Sequence, residues 1–314
     1  MFEKVQSSYQ KPKVIDYTHF LSNENFVIFL FHGVISKNKS KIRNYINKHL
    51  EVSRFERIIE ELRTKGRPVS LDQIIRAKNE KLELPPKSYA VTFDDGFANN
   101  LHLAAPILKR YSTPATFYIT TGFIQNNHGS WTDLIEYAVE KVDSVQLNHE
   151  LLSKNSPIRS VKEKIDFLDQ VRMVIKYNSN IDPYEFAKLI WKQNGVKNFD
   201  KDPELDQKLT SQEVRELSDE PLFTVGGHSH THRILSFLLP DELEKEVSTS
   251  INLLNDWTNR KINHYSYPEG LNHCFSKFVI DCLKKHEIKC CPTAENGSNN
   301  QKTDLFHLKR IFVN

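Results

Sequence analysis

The sequence predicts an α/β fold: one barrel-like domain of parallel βαβ units carrying a large, mostly helical insertion. Three observations predict it. Short apolar runs alternate with helical periodicities along much of the 314 residues, the polar residues suited to chemistry gather at the ends of those runs, and the alternation pauses once, between about Phe123 and Leu209. In such barrels the active site is built at the C-terminal ends of the strands, so those ends are where chemistry is expected.

Taken in order, Phe26 to His32 is an apolar strand ending on His-Gly, and Val52, Phe55, Ile58, Ile59 and Leu62 follow at helical spacing until Gly66 stops them. Ser88 to Phe93 is the next strand, Asn100 to Tyr111 a helix with Leu101, Ala104, Ala105 and Leu108 on one face, and Ala115 to Thr120 another strand. The insertion, residues 123–209, is rich in Lys and Asn but keeps helical patterns such as Ile165, Leu168, Val171 and Val174. Thr210-Ser-Gln-Glu213 is a capping box that starts a helix, and Leu222 to Val225 is a strand leading into Gly226-Gly227-His228. Pro240 opens a helix through about Trp257, strands near Ile262 to Tyr267 and Ile288 to Cys291 flank a helix from about Phe275 to His286, and the chain ends in an apolar run after Leu308. A single domain, 1–314, with the 123–209 insertion inside it, accommodates all of these.

Composition narrows the function classes. With 43 basic and 40 acidic residues the net charge is +3, and there is no one-sign run or basic-aromatic stripe, so nucleic-acid binding is not expected. The longest strongly apolar run, Phe26 to Phe31, is far short of the roughly 18 residues of a membrane span. The first twenty residues lack the apolar core of a secretory signal, which makes a cytoplasmic location the expectation. Cys274, Cys282, Cys290 and Cys291 include no Cys-x-x-Cys pair and are read as buried thiols in preference to a metal or redox set.

The strand ends supply His32, the pair Asp94-Asp95, His228-Ser-His-Thr-His232 and Tyr267-Pro-Glu-Gly270. Adjacent carboxylates repel unless a cation or a shared proton holds them, so the pair is either a metal ligand beside a free base or a solvated Asp-Gly turn. His228 and His232, four apart, reach one side of a turn, and imidazole suits zinc as well as iron or nickel. With Asp95 they form a two-histidine, one-carboxylate set with positions left open for water and substrate. Five of the ten glycines, Gly33, Gly96, Gly226, Gly227 and Gly270, border these same strand ends.

Thr92-Phe-Asp-Asp-Gly96 followed by His228-Ser-x-x-His232 resembles the first two motifs of the polysaccharide deacetylase family, carbohydrate esterase family 4 or NodB homology domain. The resemblance runs from Phe26 to the C-terminus apart from the insertion. It implies a distorted (β/α) barrel that uses one divalent metal ion, zinc foremost, to remove N-acetyl groups from sugars. It makes Asp94 the general base and Asp95, His228 and His232 the metal ligands. Ser266-Tyr-Pro-Glu269 stands where the family has Arg-x-Pro-Tyr, so the arginine that steadies the base has no counterpart there and the residue that orients Asp94 is left unassigned. Asp304 and Leu308-Lys-Arg310-Ile lie in the region of the family's late Leu-x-His, and Phe31-His32-Gly-Val34 looks like the permuted branch in which the N-terminal strand carries the acid, His32.

Tyr267 and Glu269 are expected to border the substrate, with the backbone N–H at Glu269 helping to hold an oxyanion. Trp131, at the head of the insertion, is a candidate to stack on a sugar ring, its competing role being to anchor the inserted helix. The expected partner is an N-acetylated sugar, nucleotide-linked, lipid-linked or small if the enzyme works in the cytoplasm. Three rival readings remain: an amidohydrolase of the same fold acting on a non-sugar amide; a two-histidine, one-carboxylate iron oxygenase, against which the second aspartate argues; and a degenerate sugar-binding module, against which the intact Asp94, Asp95, His228 and His232 argue.

Overall fold

The computed structural model describes residues 15–126, 129–152 and 158–314, so the reading of the chain start as lacking a signal falls largely on residues outside the described ones. The chain divides into two compact units, the larger comprising Asp16–Lys37, His49–His128 and Pro203–Asn314. Among the described residues no helix is long and apolar enough to cross a membrane.

The larger unit contains β1 (Val27–Phe31), β2 (Gly33–Ile35), β3 (His49–Glu51), β4 (Arg67–Pro68), β5 (Ser88–Phe93), β6 (Ala115–Ile119), β7 (Phe223–Gly227) and β8 (Ile311–Phe312). Strands β7, β6, β5, β1 and β8 lie side by side in that order and all parallel, with β4 on the first residues of β5 and β2 paired with β3. Every residue of β1, β5 and β6 is buried, which is why these strands are mostly apolar, β1 without a break and β5 and β6 with only Ser88, Thr92 and Thr116 as polar members, and do not alternate. Phe31, Phe93 and Phe117 are partners across β1, β5 and β6, their rings stacked with centroids 5.3 and 5.0 Å apart. Each contributes about 1.5–3 kcal/mol through burial. One residue beyond this row on each strand stand His32 and Asp94, and Asp94 N–H donates to Phe31 O at 3.0 Å.

Helices α1 (Val52–Lys65), α2 (Leu71–Glu80), α3 (Ala105–Arg110) and α4 (Thr121–Gln125) belong to the larger unit. The α1 stripe is as expected, with Phe55, Ile58, Ile59 and Leu62 buried and Gly66 closing the helix. The expected helix from Asn100 instead opens with a π turn, Asn100–Ala104, before α3. The strands expected near Ile262 to Tyr267 and Ile288 to Cys291 form only single bridges, Gly227 to Tyr265 and His264 to Cys290. Pairing beyond β7 therefore continues in short pieces, through Thr293 N–H donating to Leu308 O just ahead of β8.

The smaller unit, described over Ile15, Asn38–Lys48 and residues 129–152 and 158–202, contains the helices α5 (Trp131–Lys141), α6 (Val161–Lys176) and α7 (Pro183–Gln193). Ile165, Leu168 and Val171 of α6 are buried as their spacing predicts. Its core contains Ile135, Phe167, Leu168, Phe186, Ile190 and, from the 38–48 segment, Ile42. That polar-looking segment is fastened by charge: Lys48 pairs with buried Asp133 at 2.7 Å, and Asn44 N–H donates to Glu136 at 2.9 Å. After this unit come α8 (Ser211–Asp219), opened by the expected Thr210/Glu213 box, then α9 (Pro240–Thr258) and α10 (Lys277–Lys285).

Candidate active site

Because the strands are parallel, their C-terminal ends share one edge of the sheet. Asp94 and Asp95 leave β5 there and His228 leaves β7, all three almost fully buried. The turn after β7 brings the second histidine back. His228 N–H donates to Ile119 O, Gly122 N–H to His230 O, and His232 N–H to the Ser229 hydroxyl at 2.8 Å. Glu246 of α9 holds the outside of the turn, accepting from His230 N–H at 2.8 Å and from the Thr231 hydroxyl at 2.9 Å. Eleven non-glycine residues have positive φ among those described, and four of them, Asp95 (78°), Ser229 (63°), His232 (60°) and Glu269 (60°), belong to these loops. Such conformations cost about 1–3 kcal/mol each and persist where the surroundings over-determine them.

Ligand atoms of Asp95, His228 and His232 all lie within 4.8 Å of one another. Asp95 Oδ1 is 3.7 Å from His228 Nε2 and 3.3 Å from His232 Nε2, separations near the roughly 3.4 Å edge of a tetrahedral site with bonds of about 2.0–2.2 Å. The donor set fits a divalent ion such as zinc. His228 Nδ1–H donates to Ser266 O at 2.9 Å, which points its other nitrogen into the cluster, and Phe123 stacks on His232. Burial disfavours charge on both rings. It prevails at His228, whose pKa is pushed down, while at His232 the hydrogen bond and charge of Asp95 outweigh it and the pKa is raised.

Asp94 is gripped from a direction the sequence reading missed. Arg310, buried and one residue ahead of β8, donates Nη1–H to Asp94 Oδ1 and Nη2–H to Oδ2, both at 2.8 Å. The guanidinium is itself fixed by Nε–H to Thr293 O at 2.6 Å and Nη2–H to the Ser266 hydroxyl at 2.9 Å. Ser266 stands where the motif arginine was absent, so the cation reaches the base from β8 past that serine. Burial raises the Asp94 pKa, but the Arg310 charge, with help from His228 and His32, outweighs it and holds the carboxyl below its usual range. The signal in sequence was an arginine inside an apolar terminal run, Leu308 to Val313, all of whose other members but Lys309 are apolar.

The remaining expected site residues fall as follows. His32 is half-buried at the end of β1, its ring edge-on to Phe312 and near enough to act electrostatically on Asp94. Glu269 is half-buried and within electrostatic reach of His232. Tyr267, expected to border substrate, has 0% exposure, stacks on Phe275 and donates its hydroxyl to Phe306 O, so its side chain faces the core. Trp131, the other expected contact, is 3% exposed within the smaller unit's core and anchors its helix, offering no ring face to a sugar. A Cβ on Gly227 would sit 2.5 Å from the buried Tyr265 ring, so Gly227→Ala is expected to cost about 1–3 kcal/mol, read by chemical denaturation.

A parallel α/β scaffold whose strand ends join two histidines and a carboxylate beside a second, arginine-held carboxylate defines a hydrolase-type centre. The family model for polysaccharide deacetylase matches residues 81–291, and the chain belongs to that family of deacetylase hydrolases. The matched span contains Asp94, Asp95, His228, His232 and Ser266, while His32 and Arg310 lie outside it. No curated protein matches the chain. Among solved structures it is similar to the Streptococcus pyogenes deacetylase PplD (17% identity, TM-score 0.60, 92% of each chain covered). It is likewise similar to IcaB from Ammonifex degensii (14%, 0.59, 94% of each) and to the BpsB deacetylase domain from Bordetella bronchiseptica (17%, 0.54, 93% of this chain and 97% of that one). At these identities the likeness is one of fold.

Proposed function

We propose that this chain is a metal-dependent N-deacetylase that removes the acetyl group from an amino sugar. The observation that carries the reading is the convergence of Asp95, His228 and His232 beside an Asp94 held in a bidentate grip by Arg310. Asp95, His228 and His232 would hold a divalent cation, zinc by the donor set, whose chemistry there would be Lewis acidity and a lowered pKa, to about 7, for a water. Asp94, kept ionised and aimed by Arg310, accepts the proton of the water that attacks the acetyl carbonyl. The backbone N–H at Glu269 donates to the oxyanion that develops. His32, just past β1 and near enough to act electrostatically on Asp94, delivers a proton to the departing amine, which is a poor leaving group until protonated. Acetate and a free amino sugar result, and the family membership and the PplD structure, described as a complex with acetate, support this outcome.

The substrate class is tested by incubating the metal-loaded enzyme with nucleotide-linked, lipid-linked, small and polymeric N-acetyl amino sugars and following loss of acetyl by mass spectrometry. Release from at least one sugar is expected, and release only from non-sugar amides would overturn the reading. His32→Ala is expected to lower turnover by about 10²–10⁴-fold with metal content unchanged. Near-normal rates would transfer the acid role to His230, whose ring nitrogen lies 2.9 Å from the Thr121 hydroxyl, since His264 is buried and engaged with Asp72.

A further inference from the structure

We propose that Cys282, His286 and Glu244 form a second divalent-metal site, a zinc clip that fastens α10 to α9. It shares no residue with the Asp95, His228 and His232 cluster. Cys282 and His286 are four residues apart, one helical turn, so their side chains leave the same side of α10 and its C-cap. Glu244 projects toward them from the second turn of α9.

The thiol, imidazole and carboxylate each offer one ligand atom, and all three atoms lie within 4.8 Å of one another. His286 Nε2 is 2.8 Å from Glu244 Oε1, and Cys282 Sγ is 3.8 Å from Glu244 Oε2. In a tetrahedral zinc site, with Zn–S about 2.3 Å and Zn–N or Zn–O about 2.0–2.2 Å, ligand atoms are roughly 3.4–3.6 Å apart. Shifts of a few tenths of an ångström in three side-chain tips therefore open a place for the ion. Sulfur, nitrogen and carboxylate oxygen together are a donor set that zinc takes and that magnesium or calcium does not favour.

Access is also right. Cys282 is 8% exposed, while the side chains of His286 and Glu244 are 21% and 41% exposed, so the ion enters from solvent and a water completes its shell. Binding exchanges the thiol proton for the metal and releases that proton to water, with no change of oxidation state. Lys285 Nζ, 3.2 Å from Glu244 Oε2 and itself well exposed, competes for the carboxylate and swings away when the ion binds. The clip has a structural consequence. Helices α9 and α10 pack over one core with Leu243, Val247, Val279, Leu283, Tyr265 and Tyr267, next to the Ser266 carbonyl that orients His228.

The test uses the full chain, reduced and stripped of metal, titrated with Co²⁺ and then Zn²⁺, in the wild type and in His228→Ala. Both are expected to develop a thiolate-to-cobalt charge-transfer band that zinc bleaches, and zinc is expected to raise the unfolding midpoint of both. Cys282→Ser is expected to abolish the band, and in the His228→Ala background the midpoint shift as well, and Lys285→Gln to lower the Co²⁺ concentration needed for half-saturation. If Cys282→Ser fails to fold, Glu244→Gln serves instead and is expected to weaken Co²⁺ binding at least tenfold. Absence of the band in folded wild-type protein, or a band that survives Cys282→Ser, overturns the proposal. These readouts do not use acetate release, so the outcome is independent of the deacetylase reading.

Discussion

Asp94→Asn is expected to lower acetate release by about 10²–10⁴-fold, the contribution of a positioned proton-transfer group, while the bound metal is retained. The amide cannot accept the proton of the attacking water, and the ligands Asp95, His228 and His232 are untouched. The substitution has a second effect. It leaves the buried Arg310 without a counter-charge, and breaking a buried ion pair from one side costs about 3–5 kcal/mol. Lost activity could then be confused with lost structure. Combining Asp94→Asn with Arg310→Met removes both charges and is expected to recover most of the stability and none of the activity. A double variant no more stable than Asp94→Asn alone, by chemical denaturation, contradicts the buried-pair account, and wild-type turnover in either contradicts the role of Asp94.

Arg310→Met, made alone, is expected to move the acidic limb of the kcat/KM profile to higher pH. The sign follows from the groups around Asp94. Burial pushes its pKa up, and the nearby Arg310 charge, with its two hydrogen bonds, is the main influence that pulls it down. On the proposed mechanism activity needs the ionised carboxylate, so in the wild type it is expected above a depressed pKa and is lost as pH falls through it. Without the guanidinium burial prevails and the loss begins at higher pH. Misplacing a reacting group by about an ångström also costs on the order of 10²-fold, so the plateau falls as well. Arg310→Lys keeps the charge but not the planar fork, and is expected to leave the limb near its wild-type position while lowering the plateau. A profile unmoved by Arg310→Met would contradict the electrostatic role.

Much of the scaffold was legible because β1, β5 and β6 are buried on both faces and the sequence carries that as short, mostly apolar runs without alternation. The pair after β5 and the histidines after β7 were legible because chemistry-bearing residues stand at strand ends, where nothing apolar requires them. Arg310 was not, because its partner is 216 residues away and Lys309-Arg310 looks like ordinary surface charge until β8 is placed beside β1. Tyr267 and Trp131 were ambiguous for a different reason. A large aromatic ring serves a core or a ligand equally well, and only packing decides, here in favour of the core. The 38–48 segment was hidden by its polarity, since Lys48 and Asn44 are buried against carboxylates of α5 that the local sequence does not reveal.

The central claim is that Asp95, His228 and His232 hold the ion on which deacetylation depends. It is tested most directly by stripping the enzyme with a chelator, adding zinc back in steps, and measuring acetate released from an N-acetyl amino sugar that the intact enzyme deacetylates. Activity is expected to vanish on stripping and to return with zinc in the wild type and in Cys282→Ser, but not in His228→Ala. Turnover that survives stripping, or that returns in His228→Ala, would contradict the account.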